Sequence, residues 1–164
     1  MMTVVCNSTP LIALSRIGRF ELLKTYFDDL CIPQAVYDEV VTQGGNLYGA
    51  DEVRSAGWIE VKEVENKLAV DSLCLMLDRG EAEAIVLAKE ENAALLIIDD
   101  GDGRRIARSL GLKITGTIGL LLLAAEDNNL DLKRTIDDLM AVGFRLGEKE
   151  YRKIVGETDL NHDR

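Results

Sequence analysis

The chain has 164 residues, 47% of them hydrophobic, which is enough for one domain to bury a core without disulfides or a structural metal. A net charge of -10 and a pI near 4.6 exclude the broad basic surface behind most non-specific nucleic-acid affinity, so any such affinity must be local. Cys6, Cys31 and Cys74 are odd in number and widely spaced, with no CxxC pair; they read as reduced, buried thiols rather than disulfides or zinc ligands. His162 is the only histidine and lies in a polar segment near the end of the chain, so serine or cysteine catalysis with a histidine base is excluded.

The chain does not open on a basic segment followed by an apolar stretch, and Ile118 to Ala125 is far short of a membrane span. The expected location is the cytoplasm. Thr3 to Cys6 is a β-branched run followed by Asn7-Ser8-Thr9-Pro10, a strand feeding a helix entry. Apolar spacing on either side of Gly18 predicts two helical pieces before a second short strand, Leu30 to Ile32. Pro33 opens a helix through Val36, Tyr37, Val40 and Val41 that stops at Gly44-Gly45.

A glycine-containing stretch at 45–50 leads through a polar helical segment to a third strand, Trp58 to Val61. Helices are expected over Asn66 to Leu77 and Glu81 to Glu91. Ala94 to Ile98 is then a continuous apolar run of buried-strand type that ends at Asp99-Asp100. A last strand, Lys113 to Thr115, precedes a helix over Ile118 to Asp127. Two further helices come next, Leu132 to Val142 and Glu148 to Val155, and then an acidic tail. Strands alternating with helices imply a parallel sheet covered on both faces.

In such a sheet, ligands bind beyond the carboxyl ends of the strands, where Asn7, Asp99 and Asp100 all fall. Either aspartate alone also suits a cap for the helix starting near Gly103. Glu81 follows Gly80 at a helix start and shares a face with Ala84, Ile85 and Ala88; Glu83 points about 200° away and is the weaker candidate. Glu39 lies beside Val36 and Val40, with Asp38 nearer the polar side. Converging carboxylates repel unless a cation neutralises them, and Mg2+ or Mn2+ both accepts oxygen ligands and activates water for phosphodiester hydrolysis. Arg104, Arg105 and Arg108 form the dense basic cluster near this crevice. They read either as a solvated helix face or as phosphate contacts. Thr115-Gly116-Thr117 offers hydroxyls and backbone N–H groups at a helix N-terminus, and a plain strand-to-helix cap explains it equally well.

Five segments resemble the PIN-domain family, and more closely its prokaryotic branch of short PIN-like proteins. They are Val-Val-Cys-Asn-Ser-Thr-Pro-Leu-Ile (4–12), Ile-Pro-Gln-Ala-Val-Tyr-Asp-Glu-Val (32–40), Gly-Glu-Ala-Glu-Ala-Ile (80–85), Ile-Ile-Asp-Asp-Gly-Asp-Gly-Arg-Arg (97–105) and Thr-Gly-Thr-Ile-Gly (115–119). The resemblance implies a three-layer α/β/α fold with a five-stranded parallel sheet in order 3-2-1-4-5. The domain would occupy residues 1–146, with residues 147–164 as a C-terminal helix and acidic tail on the same domain. It further implies an Mg2+- or Mn2+-dependent ribonuclease acting on single-stranded RNA and leaving 5'-phosphate and 3'-hydroxyl ends. Many members are dimeric toxins of toxin–antitoxin pairs, so a homodimer and a small antitoxin are expected partners.

Residue by residue, Glu39, Glu81 and Asp100 match the family's acids and become the expected catalytic and metal-binding set, together with Asn7. Asp99 and Asp102 are secondary matches for the metal, because the aspartate run leaves the register open. Ser8, Thr9, Arg104, Arg105, Arg108, Thr115 and Thr117 are the expected nucleic-acid contacts. Position 7 departs from the pattern, which usually has aspartate there: the amide of Asn7 can ligate a hard cation but brings no charge. Two alternatives arise. One is a catalytically weak or inactive PIN-like module that binds nucleic acid or a partner. The other is a receiver-type phosphoacceptor pocket built on Asp99-Asp100 and Lys113, which lacks the acidic pair after the first strand.

Overall fold

The computed structural model describes residues 2–45 and 47–162, with side chains described as far as residue 156. Five strands, β1 (Thr3–Cys6), β2 (Asp29–Pro33), β3 (Ile59–Lys62), β4 (Leu95–Ile97) and β5 (Ile114–Thr115), form one parallel sheet in the order β3-β2-β1-β4-β5. Helices α1 (Ser8–Arg16), α2 (Glu21–Tyr26), α3 (Gln34–Tyr37), α4 (Ala50–Ser55) and α5 (Lys67–Leu73) are followed by α6 (Arg79–Glu90) and α7 (Gly101–Ser109). The chain closes with α8 (Thr117–Glu126), α9 (Leu132–Ala141) and α10 (Glu148–His162).

The alternation of side chains along the strands divides the core in two. Val4, Cys6, Leu30, Ile32 and Ile97 face one layer with α1, α2, α8 and α9, whereas Val5, Cys31, Leu96 and Ile98 face the other with α6 and part of α5 and α7. Both faces of the sheet are therefore dry, as the continuous apolar runs require. Strand order reverses at β1, whose neighbours β2 and β4 leave in opposite directions, and the crevice beyond its carboxyl end is the switch point of the sheet. None of the described helices is long and apolar enough to cross a membrane.

Three elements differ from expectation, of which the simplest is α5, ending at Leu73 where Leu77 was expected. The single helix expected after Pro33 is four residues of α-helix running into a wide π-helical turn, Asp38–Thr42, closed by a 2.7 Å bond from the Gln43 N–H to the Asp38 carbonyl. Apolar spacing survives this insertion, because Val36, Val40 and Val41 are all buried, so the periodicity concealed it. The last difference is α10, which continues through His162 where a tail was expected after Val155. Its inner face is anchored by buried Val155 and by Tyr151, whose hydroxyl donates to Asp137 on α9 at 2.7 Å. The His162 side chain lies outside the described residues.

Candidate active site

Asn7 is the first residue beyond β1 and caps α1 with extended backbone, its N–H bonded to the Ile97 carbonyl at 2.9 Å. Its side chain makes no capping bond. At 2% exposure, its Oδ1 is the one buried side-chain nitrogen or oxygen among the described residues without a hydrogen-bond partner. Leaving such an acceptor unmade in the folded state costs about 1–3 kcal/mol unless a ligand satisfies it.

The expected acids come from different elements and are linked in pairs rather than as one cluster. Ser8, buried in the first turn of α1, donates its hydroxyl to Glu39 Oε2 at 3.1 Å and fixes that carboxylate, which the π turn carries to the crevice. Wide turns of this kind recur at functional sites. A Cβ on Gly80 would lie 2.9 Å from the same Glu39 oxygen, so the start of α6 is in close contact with that carboxylate and a larger residue would push it aside. Asp78 caps α6 by accepting the Glu81 N–H at 2.8 Å, and Glu81 Oε2 accepts the Asp78 N–H at 3.3 Å, a reciprocal capping box. Asp100 caps α7 through the Gly103 N–H at 2.9 Å.

The charges of this group press on one another. Burial first, then the negative charges of Asp78 and Asp100, raise the Glu81 carboxyl to about 7. Glu39 is raised too, chiefly by burial and also by Asp78, against a lowering from the Ser8 bond. Asp78 is thus the acid the sequence reading missed. Its signal was present as Asp78-Arg79-Gly80-Glu81, the D-x-x-E spacing of a capping box.

The remaining expected residues lie elsewhere. Asp99 turns away from Asp100 and accepts the Thr117 N–H at 2.8 Å and the Thr117 hydroxyl at 2.6 Å, clasping the end of β4 to the start of α8. Burial raises its carboxyl; the Thr117 bonds and the nearby Arg104 charge oppose that shift. Arg104 folds back to donate to the Ile98 carbonyl at 2.9 Å. Asp102 and Arg105 are exposed partners, 3.5 Å apart, and Arg108 and Thr9 are exposed. Glu83 is 7% exposed and bridges α6 to α3 by accepting the Ala35 N–H at 3.2 Å, with Arg79 3.5 Å away. Thr115 lines a cavity of about 610 Å3 between the end of β5, the start of α8 and the C-terminal segment. Arg104, Arg145 and Lys153 bring positive charge to it, against Asp99 and Glu150. Sequence reading had not connected Arg145 or Lys153 to this strand end, since both lie far along the chain.

Among the described residues, no three His, Cys, Asp or Glu side chains are gathered closely enough to hold a metal ion by themselves. The donors nevertheless suit a hard cation. All are oxygens, the Asn7 carbonyl lacks a partner, and burial together with the charges of Asp78 and Asp100 raises the Glu81 carboxyl, a cost a divalent charge would relieve. An incomplete cage is the Mg2+ pattern, in which one or two carboxylates, waters and the substrate's own phosphate complete the coordination.

The family described as PIN domain (DUF3368) matches residues 3–159. Among solved structures, the chain is similar to a PilT N-terminus domain protein from the hyperthermophilic archaeon Sulfolobus solfataricus P2, at 24% identity and a TM-score of 0.52. That match covers 75% of this chain and 93% of the other, and it speaks to the fold. No curated protein matches.

Proposed function

The chain belongs to the PIN-domain family, generally a nuclease fold, and from that premise we propose that it is a divalent-cation-dependent endoribonuclease acting on single-stranded RNA. The observation that supports this reading is the unpartnered, buried carbonyl of Asn7 at the sheet's switch point, beside the Ser8 that holds Glu39, with the Glu81 carboxyl raised by burial and by the charges of Asp78 and Asp100. Glu39, Glu81 and Asp100 would hold Mg2+ or Mn2+, with Asn7 supplying a neutral oxygen. When bound, that ion offsets phosphate charge and acidifies water for in-line attack on phosphorus.

The chain's own residues prepare the site. Ser8 keeps Glu39 in one orientation, and the capping box does the same for Glu81. Preorganised donors of this kind lose little on binding. Arg104, Arg145 and Lys153 supply the local positive charge that an acidic protein needs to receive a phosphodiester chain. Toxin activity within an antitoxin pair, and a homodimer, fit this reading as its biological setting.

The test is Mn2+-dependent cleavage of a single-stranded oligoribonucleotide by wild type, Glu81→Gln, Asp100→Asn and Asn7→Asp. Loss of about 100-fold or more in the first two variants is expected, the scale of removing a group that organises transition-state charge. Equal residual cleavage in both would mark a contaminant and end the proposal. A second reading, a catalytically silent binding module, is favoured by the missing charge at position 7. Its signature is an inactive wild type that gains cleavage in Asn7→Asp.

A further inference from the structure

Glu39 lines two cavities. The one of about 410 Å3 is also lined by Asp38, Asp78, Arg79 and Glu83, whereas the other, of about 260 Å3, is mainly apolar and aromatic. Its walls are Ile12 and Arg16 of α1, Val40 of the π turn, and Leu47 and Tyr48 of the loop before α4. Leu47 and Tyr48 are 72% and 61% exposed, two adjacent large side chains left open beside the Glu39 carboxylate. The Arg16 guanidinium lies over the Tyr48 ring, 5.6 Å from its centroid.

The described residues around Tyr48 are tied down by hydrogen bonds. The Leu47 N–H bonds the Gly44 carbonyl at 2.8 Å, the Ala50 N–H bonds the Leu47 carbonyl at 3.3 Å, and the Gly49 N–H bonds Glu52 Oε2 at 3.1 Å. Gly49 has φ +93°, open to glycine, and a Cβ there would sit 3.3 Å from Val40 Cγ1 and 3.6 Å from the Ile12 Cα, so the loop rests directly on α1 and the π turn.

We propose that the Tyr48–Arg16 cavity is a nucleobase subsite, holding one unpaired base of the strand whose phosphate lies at Glu39. The inference rests on the nuclease reading and adds to it a place for the base next to the scissile phosphate. The cavity is smaller than the roughly 300–1,000 Å3 of pockets that enclose whole small molecules. Its size and flat aromatic wall suit a single base. Tyrosine faces and arginine planes are the surfaces on which proteins stack unpaired bases, without regard to base identity. Because Glu39 is common to both cavities, a base here and a phosphate at the acids belong to the same or adjacent nucleotides. The subsite also explains how a chain of net charge -10 retains a polyanion: stacking contributes where charge cannot.

The test is a titration of a fluorescein-labelled single-stranded 10-mer RNA in Ca2+, and cleavage of the same RNA in Mn2+, by wild type, Tyr48→Ala, Tyr48→Phe and Tyr48→Trp. Tyr48→Ala should weaken binding about tenfold, within the range of a single base–aromatic stack, while Phe and Trp restore it to within about threefold. One abasic position in the RNA should weaken wild-type binding and add nothing to Tyr48→Ala. Tyr48→Ala binding like wild type, or Tyr48→Phe binding as weakly as Tyr48→Ala, overturns the subsite. Glu81-dependent cleavage with Tyr48-independent binding leaves the nuclease standing and removes the subsite. Tyr48-dependent binding without any cleavage does the reverse, and absence of both binding and cleavage defeats the two together.

Discussion

Glu81 is held near pH 7 where an unperturbed glutamate titrates at 4.5, so the two states of the chain release its proton at different pH. Between those values the unfolded chain has already lost the proton and the folded chain still keeps it. Fewer protons on the unfolded side mean that stability falls as pH rises through this window, with no penalty below 4.5. Because Glu81 is partly open to water, the loss is discounted to on the order of 1 kcal/mol rather than the full product of the shift. Glu81→Gln, whose amide oxygen can still accept the Asp78 N–H, should therefore unfold at higher temperature than wild type at pH 8 in EDTA and equally at pH 4. Thermal melts at the two pH values check this. A variant less stable than wild type at pH 8 would show that the acid cluster does not strain the fold.

At the scale of elements, Asp99 and Asp100 are neighbours in sequence with separate tasks. Asp99 joins β4 to α8 through two bonds to Thr117, whereas Asp100 caps α7 through one. Asp99→Ala leaves the buried Thr117 groups unmatched and should cost about 2–4 kcal/mol, against about 1 kcal/mol for the lost cap in Asp100→Ala. Urea unfolding separates the two, and equal losses would contradict the division of roles. The sequence could not reveal it. Successive residues leaving a strand point to opposite sides, so an Asp-Asp pair announces the rim but not which carboxylate faces which crevice. The same limit hid the π turn, since Val36, Val40 and Val41 satisfy helical spacing with or without an extra residue. The strands were legible because their apolar runs and β-branched residues are properties of the segments themselves. The positions of Asn7 and Asp100 at strand ends and of Glu81 in the first turn of a helix were legible because distance from an element's end is enough to place them, whereas Glu39 was singled out by the family resemblance. Asp78 and the Tyr48 loop depend on how distant elements pack, which periodicity does not carry.

For the whole molecule, the proposed nuclease reading makes net charge decide how RNA would be met. Arg104, Arg145 and Lys153 form a local cationic patch on an otherwise acidic chain, which limits the number of phosphates neutralised at once to about two or three. The logarithm of the RNA affinity should then fall against the logarithm of salt with a slope of about -2, shallow for a nucleic-acid-binding protein. Arg145→Glu should flatten it further. Fluorescence titrations between 50 and 300 mM salt, roughly the range over which counterion release is read, provide the measurement. A slope of about -5 or steeper would point to a basic track outside this cavity.

The wide turn at Asp38–Thr42 also works as a marker of history. An ordinary helix is the lower-energy path through those residues, so the additional one persists where a site depends on it. A related chain released from that dependence is free to lose a single residue between 38 and 43 and regularise, swinging the helical turn before the deletion by about 100° relative to the turn after it. The length of this short stretch, compared across descendants of a common ancestor, then records whether selection still acts on the crevice, and it can be read without any assay.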